Sequence, residues 1–334
     1  MNFKEATERL RGQYDAFAVA FAPQLRDVIF APKNRKMTCP VHGVAQKFNV
    51  HPKFAVNGKW YSYIDQDVPH GVFNLLMWAT GATTQEVLEF AKQYLDGSNP
   101  VSQAEIIQRE TQAKAKQEQE WAENAKRNNA IWKASRNAEI ELAKYLRVQR
   151  GITNAALPQN VVFNSAVFYR DFETNTTGKS PALLVKVDQP SGKAVALHRI
   201  FLDANCKKSS LGKKMLPPSG NVMGAAARLY PVVNGVLGIA EGVETAVAVT
   251  TFFGIPTWSA ISAPMLSAFV FPENIHTLVI WVDKDRSGDG ELYAKKLEQR
   301  ALDAGLKVIY MLPPGDIPDG SKGIDWLDVC YPVN

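Results

Sequence analysis

The chain has 334 residues, 46% hydrophobic and 21% charged, with a formal net charge of +5. The length exceeds one average domain, and the composition is that of an ordinary globular protein rather than a disordered or fibrous one. No apolar run approaches the ~20 residues of a membrane helix, and the first ten residues are charged rather than signal-like, so a cytoplasmic protein with no membrane partner is expected. The cysteines, Cys39, Cys206 and Cys330, lie too far apart for a disulfide framework and suit a reducing compartment. The charge is unevenly spread. From Val236 onward there are 13 acidic against 7 basic residues, and before it 20 against 31. An acidic centre beside a basic remainder fits a metal site fed by a surface that holds a polyanion.

In chain order, residues 1–36 begin with a helix over Glu5–Val19 and end in a basic cluster, Lys33, Arg35 and Lys36. Cys39-Pro40-Val41-His42-Gly43 has the spacing of half a zinc knuckle. A closed site needs a second pair, but Tyr61-Ser62-Tyr63 stands where it belongs, leaving His51, His70, Asp65 and Asp67 as substitutes. A knuckle that has kept its hairpin and lost its metal is therefore expected, without bound Zn²⁺. Residues 46–64 alternate as strands do, with Asn57-Gly58 as a hairpin turn. Trp60, Tyr61 and Tyr63 belong to the hairpin's own core or stack on bases. Val72–Trp78 and Thr84–Leu95 read as helices around Gly81, with Thr83 or Thr84 as N-cap.

Gln103–Arg147 lacks proline and glycine and is rich in helix formers, but its apolar residues are too sparse for a heptad seam. A long, mostly solvated linking helix is expected. Another helix ends at Gly151, with Arg147 and Arg150 in its last turn. Strands follow over Val161–Phe163, Leu183–Val187 and Ala194–Phe201, the last two joined by a turn at Pro190-Ser191-Gly192. His198 and Arg199 lie on the third. Lys207, Lys208, Lys213 and Lys214 then fall in a glycine/serine loop, which would hold triphosphate or template phosphates.

The C-terminal region alternates strand and helix: Val236–Ala240, Val243–Phe253, Pro256–Ile261, Ala263–Val270, Thr277–Val282, Glu291–Ala304, Leu306–Leu312. This order gives a parallel sheet with right-handed crossovers. Glu241 follows the first strand, and Asp283 and Asp285 follow the third, so three carboxylates meet at one sheet edge. They repel one another unless a cation sits among them, and hard oxygen ligands suit Mg²⁺ or Mn²⁺. A phosphoryl-acceptor aspartate would stand on an early strand, and a dinucleotide site would need a glycine-rich turn that Glu241-Gly242-Val243-Glu244 does not supply. Metal-dependent chemistry on phosphodiesters remains.

Glu241-Gly242-Val243-Glu244-Thr245-Ala246 followed by Asp283-Lys284-Asp285 resembles the toprim domain of primases, topoisomerases and some nucleases. The wider chain resembles toprim-type DNA primases of plasmids, phages and satellite elements. The residues carrying this are Cys39-Pro40-Val41-His42-Gly43, Tyr145-Leu146 with Arg150-Gly151-Ile152, His198-Arg199 with Leu202-Asp203, and Ile324-Asp325-Trp326-Leu327-Asp328.

The resemblance implies synthesis of short RNA primers on a single-stranded DNA template from NTPs and Mg²⁺ or Mn²⁺, for replication or transfer of a mobile element. Glu241 would bind metal or act as general base, and Asp283 and Asp285 would hold metal. His198, Arg199, Lys213, Lys214 and Lys284 would hold nucleotide or DNA. Glu244, Asp325 and Asp328 would be accessory acids, and Cys39 and His42 vestigial zinc ligands. No Walker A sequence occurs, so a helicase would be a separate partner. The alternatives are a toprim nuclease and a catalytically silent primase relative that binds single strands or interferes with replication.

The expected fold is α/β. A C-terminal toprim domain with a Rossmann-like parallel sheet spans 235–334, behind a basic, strand-rich α+β subdomain at 144–234. A helical linker spans 100–143 and an N-terminal zinc-ribbon-like module 1–99.

Overall fold

The computed structural model describes residues 2–31, 36–43, 48–62, 71–97, 103–171 and 174–332, and the chain divides into two compact units, Met1–Gln119 and Glu120–Asn334.

In the first unit, α1 (Phe3–Arg9), α2 (Tyr14–Phe21) and α3 (Arg26–Ile29) precede β1 (Phe48–Val50), α4 (Phe54–Asn57), β2 (Trp60–Ser62), α5 (Val72–Thr80) and α6 (Thr84–Leu95). The single helix expected over Glu5–Val19 is two, because Gly12 takes a positive φ of 96° between them. β1 and β2 pair antiparallel as expected, but Asn57-Gly58 is not a two-residue hairpin turn. Phe54–Asn57 is helical and Gly58 caps it in the left-handed region, leaving Val56 exposed. The core gathers Leu10, Phe17, Leu25, Phe48, Trp60, Leu75 and Leu76, and Trp60 lies against Phe48 and Trp78. Trp60 is thus core, whereas Tyr61 is exposed. α6 starts at Thr83 with a full capping box closed by Glu86.

α7 (Gln103–Lys133) is followed in the second unit by β3 (Arg136–Asn137) and α8 (Glu139–Arg150). The helix expected to run through Gln103–Arg147 breaks at 134–138. There the Ser135 hydroxyl bonds back to the Ile131 carbonyl, and Arg136-Asn137 pair with the next strand. Nor is the end of α7 merely solvated. Asn128 is buried, and Asn124 and Asn128 donate to the carbonyls of Pro218 and Pro217. β4 (Val161–Asp171), β5 (Thr176–Asp188), β6 (Ala194–Leu202) and β7 (Lys208–Met215) complete a five-stranded antiparallel sheet in the order β3-β4-β5-β6-β7. Lys213 and Lys214 therefore stand on a strand, not in the expected loop; backbone pairing with β6 supplies the order that their polar sequence does not advertise.

The C-terminal part comprises β8 (Val236–Ala240), α9 (Val243–Phe253), β9 (Thr257–Ser259), α10 (Ala263–Ala268), β10 (Thr277–Trp281), β11 (Lys284–Asp285), α11 (Asp289–Asp303), β12 (Lys307–Met311), β13 (Gly323–Ile324) and α12 (Trp326–Cys330). Its sheet has the order β12-β10-β8-β9 with every pair parallel. Strand residues alternate between its faces. Leu237, Ile239, Leu278 and Ile280 pack with Met265, Leu266, Ala294 and Leu297 of α10 and α11. Ala240, Val279 and Trp281 pack with Val243 and Val247 of α9 and Trp326 and Leu327 of α12. That second cluster also takes in Leu142, Tyr145 and Leu146 of α8 with Val185 and Ile200 of the antiparallel sheet, so α8 joins the two sheets through one core. No helix among the described residues is long and apolar enough to cross a membrane.

Candidate active site

β8 and β10 pair in register, Ala240 opposite Trp281, so both chains leave the sheet at the same edge. Glu241 comes off β8 and Asp283 off β10, where α/β sheets carry their ligands. The Glu241 carbonyl accepts from the Ile261 amide at 2.8 Å and the Ser259 hydroxyl at 2.7 Å, which fixes this turn. Ile261 holds a φ of 71°, a strained conformation for a β-branched residue, at the pocket wall.

A pocket of about 280 Å³ is lined by Glu241, Glu244, Asp283 and Asp325, with Arg150, His198, Lys213 and Thr245 among its other walls. Asp283 is the most strongly perturbed of these acids. Burial pushes its carboxyl up to about 8, and the charges of Asp325 and Glu241 push the same way. Its Oδ1 is buried without a hydrogen-bond partner, as are Arg150 Nε and His198 Nδ1. Three unsatisfied buried polar atoms on one small pocket are the mark of a site built for a ligand, since each costs about 1–3 kcal/mol if left unpaired. Glu241 is also raised, by burial and then by the charge of Asp285, with Lys213 opposing.

Asp285 behaves differently. Its carboxylate accepts from Ser287 Oγ at 2.6 Å and from the amide of Gly290 at 2.8 Å. These bonds, the Ser287 hydroxyl first, draw its pKa below the ordinary value. Gly290 is required where α11 meets this turn, because a Cβ there would collide with the Asp283 carbonyl oxygen. Gly323 presses on the same segment, with a virtual Cβ 2.6 Å from the Lys284 carbonyl.

The β6–β7 register sorts the basic candidates. Ile200 pairs with Lys213 and His198 with Met215, and on this face His198 and Lys213 reach the pocket. Arg199 pairs with Lys214 on the opposite face. There Arg199 is buried, donating to the carbonyls of Phe168, Lys214 and Met215. Arg199 and Lys214 are thus not brought to the site. Lys284 is not either: its Nζ donates to the Gly315 carbonyl at 2.6 Å.

Among the accessory acids, Asp325 lines the pocket and caps α12, while Asp328 closes the reciprocal half of that capping box. Glu244 is buried with both carboxylate oxygens engaged. Tyr145 Oη donates to one at 2.6 Å and Lys213 Nζ to the other at 3.0 Å. Burial works against its ionisation, but the charge of Lys213 and these bonds prevail and hold the carboxyl far below its ordinary value.

Cys39 and His42 lie in the first unit, with Cys39 Sγ 3.2 Å from His42 Nδ1. His51 is committed to Asn57 and the Lys53 amide, and Tyr63, Asp65, Asp67, His70, Lys33 and Arg35 fall outside the described residues.

Tyr145 and Arg150 entered the sequence reading only as parts of a motif, without a role in the site. The available signal was Glu244 itself: it is the one charged residue in a helix otherwise composed of Val, Thr, Ala and Phe, so a cation and a donor had to be supplied from elsewhere.

Residues 236–331 match the family described as Toprim domain. This region has the toprim fold. Residues 122–229 match a second family, Domain of unknown function (DUF7146), and no curated protein matches the chain. Among solved structures, the primase fragment of the bacteriophage T7 primase-helicase protein is 14% identical over 45% of this chain, with a TM-score of 0.32. The chain spans 57% of that fragment's length. A DnaG primase catalytic domain bound to single-stranded DNA is 12% identical over 64% of this chain and 77% of its own, with a TM-score of 0.42. The Aquifex aeolicus primase (zinc-binding and RNA polymerase domains) is 13% identical over 84% and 73%, with a TM-score of 0.35.

Among the described residues no three His, Cys, Asp or Glu side chains stand together as a ready metal cage. The donor chemistry nonetheless fits Mg²⁺ or Mn²⁺. Asp283, whose Oδ1 is buried and unpartnered, lines a pocket together with Glu241 and Asp325. Mg²⁺ is held by one or two carboxylates completed by water and substrate phosphates, not by an all-protein cage.

Proposed function

We propose that this protein is a primase-like nucleotidyltransferase that joins ribonucleotides on a single-stranded DNA template. The observation that carries this reading is the buried, unpartnered Asp283 Oδ1, on a pocket whose lining brings Glu241, Glu244 and Asp325 together with Arg150, His198 and Lys213. Asp283, Glu241 and Asp325 would hold the divalent cation, with Asp285 adding charge at its exposed side. When bound, the cation polarises a phosphoryl oxygen and offsets charge on the leaving group. The alternative role for Glu241, buried at the sheet edge, is to take the proton of the attacking 3′-hydroxyl in place of holding the metal. Lys213 and Arg150 bring positive charge to the triphosphate, and neutral His198 presents a nitrogen at the pocket wall. The turn at Asp285 and the close approach of Gly290 and Gly323 hold the Asp283–Asp285 segment in place.

The partners of such an activity are single-stranded DNA, NTPs and a separate helicase, in a bacterial mobile-element setting. The decisive experiment is NTP incorporation on a mixed-sequence single strand with Mg²⁺ or Mn²⁺. Wild type should extend, and Asp283→Asn should lose at least a hundredfold (~2.7 kcal/mol of barrier). Undiminished synthesis by Asp283→Asn overturns the site assignment. Shortening of labelled DNA without NTPs identifies a nuclease instead.

A further inference from the structure

The Tyr145–Glu244–Lys213 cluster has features that neither metal ligation nor stability accounts for. Glu244, in the first turn of α9, lies three residues beyond Glu241, close enough in sequence to pass for a further metal-binding acid. Its side chain is only 3% exposed, and its two oxygens are taken by Tyr145 of α8 and Lys213 of β7. Buried ion pairs of this kind are commonly no more stabilising than apolar residues of the same volume. An apolar residue here would match the rest of α9.

Lys213 itself is 32% exposed and borders the same pocket as Glu241 and Asp283. Its positive charge acts on both of those acids. A flexible ammonium with this reach, if untethered, would settle on the unpartnered Asp283 carboxylate and occupy the place of a divalent cation. Glu244 offers it a competing buried anion. Tyr145 keeps the other oxygen of Glu244 occupied and so fixes the carboxylate plane.

We propose that Glu244 is a positioning residue that holds Lys213 against the pocket wall, leaving Asp283 and Glu241 open to the metal and the ammonium facing the substrate's phosphates. This inference rests on the metal-site reading above. Glu244 acts wholly through Lys213 and touches neither metal nor substrate. Its loss therefore matters only while Lys213 is present.

The test is Mn²⁺ binding to the full-length protein, followed by electron paramagnetic resonance of the free ion, with circular dichroism and melting as folding controls. Glu244→Gln keeps the shape and the acceptor for Tyr145 but removes the charge, and should weaken Mn²⁺ binding roughly tenfold, the effect of one released competing charge. Lys213→Met combined with Glu244→Gln should restore binding to the wild-type level or better. If E244Q does not fold, K213M/E244M, which buries no unpaired charge, takes the place of the double variant with the same expectation.

A double variant that binds as weakly as E244Q, or in the K213M/E244M form well below K213M alone, makes Glu244 a ligand and overturns the proposal. So does folded E244Q with unchanged affinity. Failure of the underlying reading looks different: wild type then shows no Mn²⁺ binding that Asp283→Asn removes. A second readout separates positioning from simple support. In NTP incorporation, E244Q should raise KM for NTP and the Mn²⁺ requirement together, and at saturating metal the KM defect should persist while kcat recovers.

Discussion

His198 shows how one residue's surroundings set its protonation. It is buried at the pocket wall, and its Nδ1 has no partner. Burial lowers its pKa from the ordinary 6.5 to about 4; the charge of Glu244 opposes this shift, while Lys213 and Arg199 reinforce it. The folded protein therefore carries His198 neutral at pH 7. The unfolded chain takes up the proton near pH 6.5 and the folded chain only near 4. Unfolding is thus favoured progressively as pH falls between those values, with a slope of at most about 1.4 kcal/mol per pH unit from this group. Urea midpoints measured from pH 7 down to 4 should fall for wild type, and His198→Gln should remove that part of the decline. An identical decline in the variant would mean that His198 is not the titrating group. Neutral histidine also suits the site: it offers a hydrogen bond without adding a charge to compete with the metal.

Among the elements, α11 has the most direct hold on the chemistry. Its first turn lies against the Asp283–Asp285 segment so closely that a methyl group at Gly290 would overlap the Asp283 carbonyl. Gly290→Ala should cost about 1–3 kcal/mol, as overpacking does, and lower NTP incorporation more than tenfold by moving both acids. Chemical denaturation and the primer assay measure the two effects, and an unimpaired variant would show that the acids do not depend on this contact. How much of this was legible depended on which signal each element carries. β8 and β10 are uninterrupted apolar runs, and the Glu241 and Asp283 edge could be read from them. Thr83 and Thr84 both stood open as N-cap, and the capping box with Glu86 selects Thr83. β7 was illegible because Lys208–Met215 has neither alternation nor a β-branched run; it is a strand because β6 offers it an edge. The separation of His198 from Arg199 likewise depends on register, which no local pattern records. Asp328 looked like a second site acid for the same reason that Asp325 did, and only the capping box on α12 distinguishes them.

At the scale of the whole molecule, each unit has its own hydrophobic core. Among the described residues, the first is drawn from residues between Ala6 and Leu95, and the clusters of the second include nothing before Ile131. Independent cores imply independent folding. A fragment beginning at Glu120 should unfold in one cooperative transition and bind Mn²⁺ within about threefold of the full chain, a difference under ~0.7 kcal/mol. A fragment that melts without cooperativity would tie the site to the first unit. Within the second unit, the pocket draws Arg150, His198 and Lys213 from the 122–229 match and its acids from the 236–331 match. Neither segment builds the pocket alone. Exchanging one segment without the other would strand Glu244 without its counter-charge and part the pocket's cations from its acids.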